Sequence, residues 1–294
     1  NTWLIYRKSF GVTDVPDQLI ARIAADSKYW LWINDQLVIF EGGLKRGPSP
    51  SGTYYDPVDI APYLTKGSNT IAILLWHFGK DGFSHINSGK AALLFEAIAP
   101  GLEIVSDASW QCALYEAYQN TEAPFPNYRM PESNIRFDAR QAITNWNRTS
   151  FEGSLPGAVC VGKAGKAPFG DLVERPIPQW KNSGLLSYVS VRESLKGDTL
   201  FCRLPYNAQI TPYLKVEAEA GNTIHIRMDN YEGGSERNVR AEYITREGEQ
   251  EYESYGWMNG HEVYYIIPEG VKVLDVKYRE TGYNTDLAGS FHCD

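Results

Sequence analysis

The chain has 294 residues and a mass of 33.1 kDa, which is long enough for two domains that each bury a core. Its 28 Lys and Arg residues stand against 36 Asp and Glu, and a net charge of −8 repels phosphate, so we expect no nucleic-acid partner. No apolar run approaches the roughly 18 residues that cross a bilayer, so we expect no membrane partner. Aromatic residues make up 13% of the chain and helix formers show no periodic pattern, which predicts an all-β fold.

The first half of the chain has the pattern of short strands separated by turns. Residues 18–25 alternate apolar and mostly polar side chains, as a strand with one buried face does. Residues 29–33 and 36–40 flank Asn34-Asp35, a pair that tolerates positive φ and suits a two-residue turn. These segments predict a β-hairpin near the start of a β-sandwich.

Residues 70–78 (TIAILLWHF) predict a further strand of the same sandwich. In this strand we expect Ile71, Ile73 and Leu75 to point towards the core, because they lie at every second position. This segment is followed by further apolar runs, and their spacing is typical of the strands of a sandwich.

The middle of the chain predicts a domain boundary. Residues 111–178 are rich in Pro, Asn and Gly, which favours surface loops for part of this stretch. Two prolines in residues 175–183 (RPIPQWKNS) accompany a change of pattern, so we predict domains 1–178 and 179–294. Strand patterns resume afterwards, for example at residues 213–218, and predict a second sandwich.

The chain carries no signature of a cofactor. Its four cysteines are widely spaced without a Cys-x-x-Cys pair, which argues against zinc and fits reduced thiols, although three disulfide pairings stay open. It also lacks a nucleotide-binding glycine fingerprint and a βαβ pattern, so we expect no dinucleotide.

Two groups of polar residues have spacings that catalytic or metal sites use. Glu251 and Glu253 lie on one face of a predicted strand, at a separation that sugar hydrolysis could use. The alternative is a solvated acidic strand edge. His77, Asp81 and His85 repeat at four-residue intervals, which suits a metal only on a helix, whereas the glycines between them favour a solvated loop. We therefore leave any metal ligands unknown.

Aromatic residues in two loops indicate carbohydrate binding more strongly. Sugar rings stack on flat aromatic side chains while their hydroxyls need polar partners, and residues 41–56 and 76–87 both offer this mixture. The alternative is that Trp76 and one of the tyrosines are core residues. The candidate carbohydrate-binding residues are Arg46, Tyr54, Tyr55, Trp76, His77, Asp81 and His85.

Several segments resemble known hydrolases. Residues 28–37 (KYWLWINDQL) and 58–71 (VDIAPYLTKGSNTI) resemble the N-terminal jelly roll of α-L-rhamnosidases, and also the sugar-binding domain of β-galactosidase-like hydrolases. Residues 106–110 (SDASW) are similar to the rhamnosidases' T-D-x-S-W motif. Glu132 followed by residues 137–140 (FDAR) resembles their E-x-Y-D-A-R motif, with a longer spacing between the glutamate and the aromatic.

The tail carries the most specific resemblance. Residues 278–291 (YRETGYNTDLAGSF) resemble the segment that links the last β-sandwich of bacterial α-L-rhamnosidases to their helical catalytic barrel. The tail ends in turn residues with no element to join, so we expect the chain to be the front part of a larger protein.

The resemblance implies a jelly roll followed by a supporting sandwich, in an inverting glycoside hydrolase that releases terminal α-L-rhamnose. The acid and base of such enzymes lie in the helical barrel, and no sustained helical periodicity is present in this sequence. The chain by itself is therefore expected to be inactive, with carbohydrate and a C-terminal helical catalytic domain as partners. Some related jelly rolls bind rhamnose through calcium, so calcium in the first domain is left open. A periplasmic or extracellular location is expected by resemblance. The alternative functions are a free-standing carbohydrate-binding protein and the sugar-binding domain of a β-galactosidase-like hydrolase.

Overall fold

The computed structural model describes residues 1–43, 49, 51–82, 85–122, 134–230, 239–285, 289–290 and 292–293. The described part is all β, as the sequence predicts, apart from single turns of 3-10 helix at Ala61–Tyr63 and Ala139–Gln141. Among these residues no helix is long and apolar enough to cross a membrane.

The strands are numbered along the chain. They are β1 (Thr2–Val12), β2 (Ile20–Asp26), β3 (Lys28–Ile33), β4 (Gln36–Gly43), β5 (Gly52–Asp59), β6 (Gly67–His77), β7 (Ala92–Ala99), β8 (Leu102–Val105), β9 (Gln111–Leu114), β10 (Tyr118–Asn120), β11 (Ile135–Asp138), β12 (Asp171–Glu174), β13 (Ser190–Glu193), β14 (Thr199–Ala218), β15 (Thr223–Met228), β16 (Arg240–Ile244), β17 (Gly248–Glu253), β18 (Met258–Ile266) and β19 (Lys272–Glu280).

Two sheets face each other in the first half of the chain and form what we call the first sandwich. The outer sheet has the order β12-β5-β2-β7-β8, and the central sheet has the order β4-β3-β6-β1-β9. Their facing sides share one apolar core that includes Ile23 and Phe95 of the outer sheet and Leu31 of the central sheet. The predicted hairpin is present as β3 and β4, with φ of 47° at Asn34 and 71° at Asp35. The jelly-roll subtype stays a prediction.

The central sheet is buried on both faces. Ile71, Ile73 and Leu75 of β6 point into the sandwich core, as predicted from their spacing. Leu74 and Trp76 point the other way and are also buried, at 1% exposure each. Alternation in this strand therefore separates two cores rather than a core from solvent.

The second of these cores is an aromatic cluster between the central sheet and the second half of the chain. Trp3 stacks on Trp76 at 4.4 Å and on Tyr118 at 4.0 Å between ring centroids. Tyr255, which follows β17, packs against Trp30 at 4.6 Å. The other large buried side chains of the cluster are Trp32, Phe40, Phe78, Tyr115 and Trp146. Because the cluster takes residues from both halves, it fixes one half against the other.

One long strand organises the second half. The 20 residues of β14 pair with β18 and β13 in their first part and with β19 and β17 in their second part. The register shifts between Arg203 and Ala208, where the strand passes from one set of partners towards the other. A sheet of order β10-β11-β16-β15-β18-β14-β13 results, and its apolar side chains share a core with those of β17 and β19.

The chain crosses between the two halves before the predicted boundary at residue 178. β11 lies parallel to β16, with Ile135 opposite Ala241, so part of the predicted first domain belongs to the sheet of the second half. β12 then returns to the outer sheet of the first sandwich beside β5. The division into 1–178 and 179–294 stays a prediction, and it does not coincide with a break in strand pairing.

A matched pair of substitutions tests the two-sided burial of the central sheet. Leu74→Ala should lower the free energy of unfolding by about 2–5 kcal/mol, as much as Leu75→Ala, because each removes a buried side chain from a separate core. Leu195→Ala, at a fully exposed position, should change it by less than about 0.5 kcal/mol. Guanidinium unfolding measures all three. A Leu74→Ala cost no larger than that of Leu195→Ala would contradict burial of the second face.

Candidate functional site

A cleft of about 690 Å³ opens where the first sandwich, the second half and the tail meet. Its lining comes from three parts of the chain. The first sandwich contributes Lys28 of β3, Glu41 of β4 and Tyr54 of β5. The second half contributes Gln209 of β14 and Trp257, which lies in the turn before β18. The segments that join and follow the two halves contribute Arg175, Trp180, Thr281 and Tyr283.

A buried ion pair lies at the cleft. The Lys28 ammonium is 2.9 Å from the Glu41 carboxylate, and the two side chains are 3% and 5% exposed. The same ammonium lies 5.4 Å from the centroid of the Trp257 ring, within cation–π range. The charge of each partner is thus compensated within the protein.

A second buried pair, between Arg175 and Asp56, supports the wall beside it. The Arg175 Nε is 2.5 Å from Asp56 Oδ1, and the guanidinium also donates to the Gly43 carbonyl. Asp56 Oδ2 accepts hydrogen bonds of 2.8 Å from the Tyr29 hydroxyl and the Gly43 N–H. Burial, together with the negative charge of Asp56, raises the pKa of Tyr29 well above its ordinary value.

Gly43 has no room for a side chain at this wall. Its φ is +79°, and a Cβ would lie 2.8 Å from the Ser27 carbonyl oxygen. A glycine therefore allows the backbone to bring its N–H to Asp56 and its carbonyl to Arg175.

Four aromatic side chains line the cleft: Tyr54, Trp180, Trp257 and Tyr283. Trp180 and Tyr283 are held together by an antiparallel bridge and lie 5.6 Å apart between ring centroids. The bridge is flanked by hydrogen bonds from Lys181 N to Gly282 O and from Asn284 N to Gln179 O, of 2.9 and 2.8 Å. The tail through Tyr283 thus contributes to the cleft, whereas residues 286–288 and 291 lie outside the described residues.

The candidate residues of the first predicted loop lie in different places. Tyr54 lines the cleft, but Tyr55 points to the opposite side of β5, because successive residues of a strand alternate. The Tyr55 hydroxyl donates to Glu174 at 3.4 Å. Arg46, and Glu132 of the motif resemblance, lie outside the described residues.

Trp76, a candidate of the second loop, is a core residue. At 1% exposure, with one ring face on Trp3, it leaves no surface on which a sugar could stack. The core alternative that the sequence left open therefore applies to Trp76.

His77 and His85 are also buried and lie around Asp26 instead of the cleft. Asp26 Oδ1 is 3.0 Å from His85 Nε2 and 3.3 Å from His77 Nδ1, and Oδ2 accepts a 2.7 Å hydrogen bond from the Ser88 N–H. Burial alone would raise the pKa of the Asp26 carboxyl, but hydrogen bonds from His77, His85 and Ser88 lower it far below its usual range.

Asp81 does not join this group. It is exposed, and its Oδ1 accepts a 2.8 Å hydrogen bond from the Asn87 N–H. Within the described parts of the chain no three His, Cys, Asp or Glu side chains are placed to hold a metal ion. Calcium binding by the first domain stays a prediction.

The carboxylates Glu251 and Glu253 have partners of their own. Glu253 accepts two hydrogen bonds from the Arg279 guanidinium, of 2.7 and 3.0 Å, and a third of 3.1 Å from Thr211. Glu251 accepts a 2.8 Å hydrogen bond from Tyr213. The ion pair with Arg279 gives Glu253 a structural role in joining β17 to β19.

Most residues of the cleft could not be predicted from the sequence. Trp180 falls in residues 175–183, which the sequence predicts to be a domain boundary, and Trp257 lies immediately before β18. A tryptophan between two predicted strands was the available signal for both residues. Lys28 and Glu41 gave no signal, because only the fold brings them together.

Neither a protein-family model nor a curated protein matches the sequence. Solved structures do match its fold. A GH78-family rhamnosidase of Bacillus sp. GL1 matches with a TM-score of 0.85 and 16% identity, over 100% of this chain and 55% of that one.

An α-L-rhamnosidase from Dictyoglumus thermophilum matches with a TM-score of 0.70 and 20% identity, over 96% of this chain and 32% of that one. A Streptomyces avermitilis α-L-rhamnosidase, solved with L-rhamnose, matches with a TM-score of 0.68 and 17% identity, over 96% of this chain and 29% of that one. The resemblance is thus confirmed for the fold, and the chain spans between about a third and just over a half of these structures.

The buried Asp26 carboxylate predicts a pH dependence of stability. Because its folded pKa is lowered, its contribution is present above the unfolded value of about 3.9 and is lost as the pH falls below that value. Asp26→Asn should therefore lower the free energy of unfolding by about 3 kcal/mol at pH 7, and by progressively less below about pH 4.

The control for this substitution is Asp14→Asn, since the Asp14 side chain is 86% exposed. Urea unfolding of both variants and the parent between pH 3 and 7 gives the comparison. A difference between Asp26→Asn and the parent that is the same at every pH would contradict a lowered pKa.

Proposed function

We propose that this chain is the non-catalytic N-terminal β region of an α-L-rhamnosidase, and that it supports a helical catalytic barrel and contributes carbohydrate binding. The observation that carries the proposal is the agreement in fold over the whole chain with part of a larger rhamnosidase. The proposed enzyme removes terminal α-L-rhamnose from glycans in the periplasm or outside the cell.

The carboxylates of the described residues support a non-catalytic role. Inverting hydrolysis needs an acid and a base about 6.5–9.5 Å apart. Glu41 is the one carboxylate among the described residues that line the cleft, and it is paired with Lys28. Glu253 is held by Arg279, so the pair suggested by Glu251 and Glu253 lacks a free second member. We therefore propose that the barrel carries the acid and the base.

Contacts around Arg279 support the role as a scaffold. This arginine at the end of β19 is 7% exposed, and its guanidinium lies 4.7 Å from the centroid of the Phe40 ring in the first sandwich. It also donates to Asn182 at 2.6 Å and forms the bidentate pair with Glu253. The tail therefore leaves from a point attached to both halves, which suits a connector that positions a further domain.

A free-standing carbohydrate-binding protein is the second candidate, and the sugar-binding domain of a β-galactosidase-like hydrolase is a variant of it. The four aromatic side chains of the cleft favour either, since such a site would bind sugar without a barrel.

The reading frame of the gene distinguishes the proposal from a free-standing carbohydrate-binding protein. We expect it to continue past residue 294 for several hundred codons with the 3.6-residue periodicity of a helical barrel. Sequencing of the transcript measures this directly. A stop codon shortly after residue 294 would overturn the proposal and favour the free-standing protein.

The chain alone should not hydrolyse an aryl α-L-rhamnoside. Release of nitrophenol from 4-nitrophenyl α-L-rhamnoside should match the blank, because the lining of the cleft offers one carboxylate and that carboxylate is already paired. A characterised α-L-rhamnosidase serves as the positive control. Turnover that co-purifies with the chain and is lost in Glu251→Gln or Glu253→Gln would contradict the non-catalytic assignment.

A further inference from the structure

We propose that the cleft binds a neutral saccharide unit, and that the unit contacts the first sandwich, the second half and the tail at once. The inference rests on the proposed function, which makes carbohydrate the expected ligand class. It adds the location of the site, the charge of its ligand and the three-part construction of its walls.

The dimensions and lining of the cleft suit a sugar. Its volume of about 690 Å³ lies within the range of about 300–1,000 Å³ that small-molecule sites occupy. Tyr54, Trp180, Trp257 and Tyr283 offer flat aromatic surfaces in its lining. The C–H faces of a pyranose stack on such rings.

The charges at the cleft favour a neutral ligand. Two cations are present, but Lys28 is paired with Glu41, and Arg175 is paired with Asp56. The attraction for a carboxylate or phosphate ligand is therefore small, because each positive charge already has a buried counter-charge. These pairs instead present polar groups in fixed positions, which suits recognition of hydroxyls.

Further polar groups come from the parts of the chain that the cleft brings together. Gln209 of β14 donates a 3.1 Å hydrogen bond to the hydroxyl of Thr281 in the tail. An amide has two N–H donors and a carbonyl, and a hydroxyl can both donate and accept, so each has capacity beyond this bond. A sugar at this position would contact β14 and the tail together.

Two neighbouring tyrosines provide the test, because they lie on opposite faces of β5. Tyr54→Ala removes an aromatic wall of the cleft, whereas Tyr55→Ala removes a ring of equal size outside it. Trp180→Ala removes a second wall. Thermal unfolding of each variant checks that it is folded, since none of the three side chains is fully buried.

Isothermal titration calorimetry measures the Kd of each ligand for the chain, once with calcium and once with EDTA. The ligands are methyl α-L-rhamnoside, methyl β-D-galactoside, methyl β-D-glucoside and sodium D-glucuronate. We expect a neutral glycoside to bind more tightly than glucuronate. Its Kd should rise about tenfold in Tyr54→Ala and in Trp180→Ala, and should be unchanged in Tyr55→Ala.

The outcomes separate this inference from the proposed function. Binding of galactoside or glucoside but not rhamnoside, sensitive to Tyr54→Ala, supports the cleft and counts against the rhamnosidase assignment. If the chain binds the rhamnoside and neither Tyr54→Ala nor Trp180→Ala changes its Kd, the cleft is not the binding site. The rhamnosidase assignment is unaffected by that result. Preference for glucuronate, or no binding of any glycoside by the folded parent chain, overturns the inference.

Discussion

The central sheet has one face turned away from the core of the first sandwich, and this face carries tryptophans. A sheet with one solvated face would carry polar side chains there. Trp3, Trp30 and Trp76 project from three neighbouring strands of that sheet and meet Tyr118 and Tyr255 from the other side. Exposing this surface to water would cost the transfer free energy of several large aromatic side chains, so the two halves are held together by burial. The positions of the cleft walls, the tail and Arg279 all depend on this contact.

The cleft combines features that a core dedicated to stability would avoid. Burying an ion pair costs desolvation that apolar side chains of similar volume do not incur. Two such pairs, Lys28–Glu41 and Arg175–Asp56, lie side by side at the cleft. Polar groups held rigidly beside aromatic rings are typical of a site that recognises a small polar ligand. This is the physical basis for the proposal that the junction binds a ligand in addition to stabilising the fold.

The parts of the fold that the sequence predicted are the local ones. The hairpin around Asn34-Asp35 and the inward alternation of β6 follow from backbone and side-chain geometry over a few residues. Period-two alternation could not show that Leu74 faces a second core, because the apolar partners come from distant segments. For the same reason it could not predict the parallel pairing of β11 with β16, or that Tyr54 would line the cleft while Tyr55 would not. Likewise, the spacing of His77 and His85 did not reveal that both surround Asp26.

The pairing of β11 with β16 also sets an order of events on the ribosome. Ile135 finds its partner Ala241 only after about 100 further residues have been made. At the usual elongation rates of about 5–20 residues per second, this is a delay of roughly 5–20 s. During that interval the first sandwich can close, because β12 is made within it, but Trp30 still lacks its cover from Tyr255. The nascent chain therefore leaves part of its aromatic surface uncovered for seconds, which gives chaperones a reason to bind at this stage of synthesis.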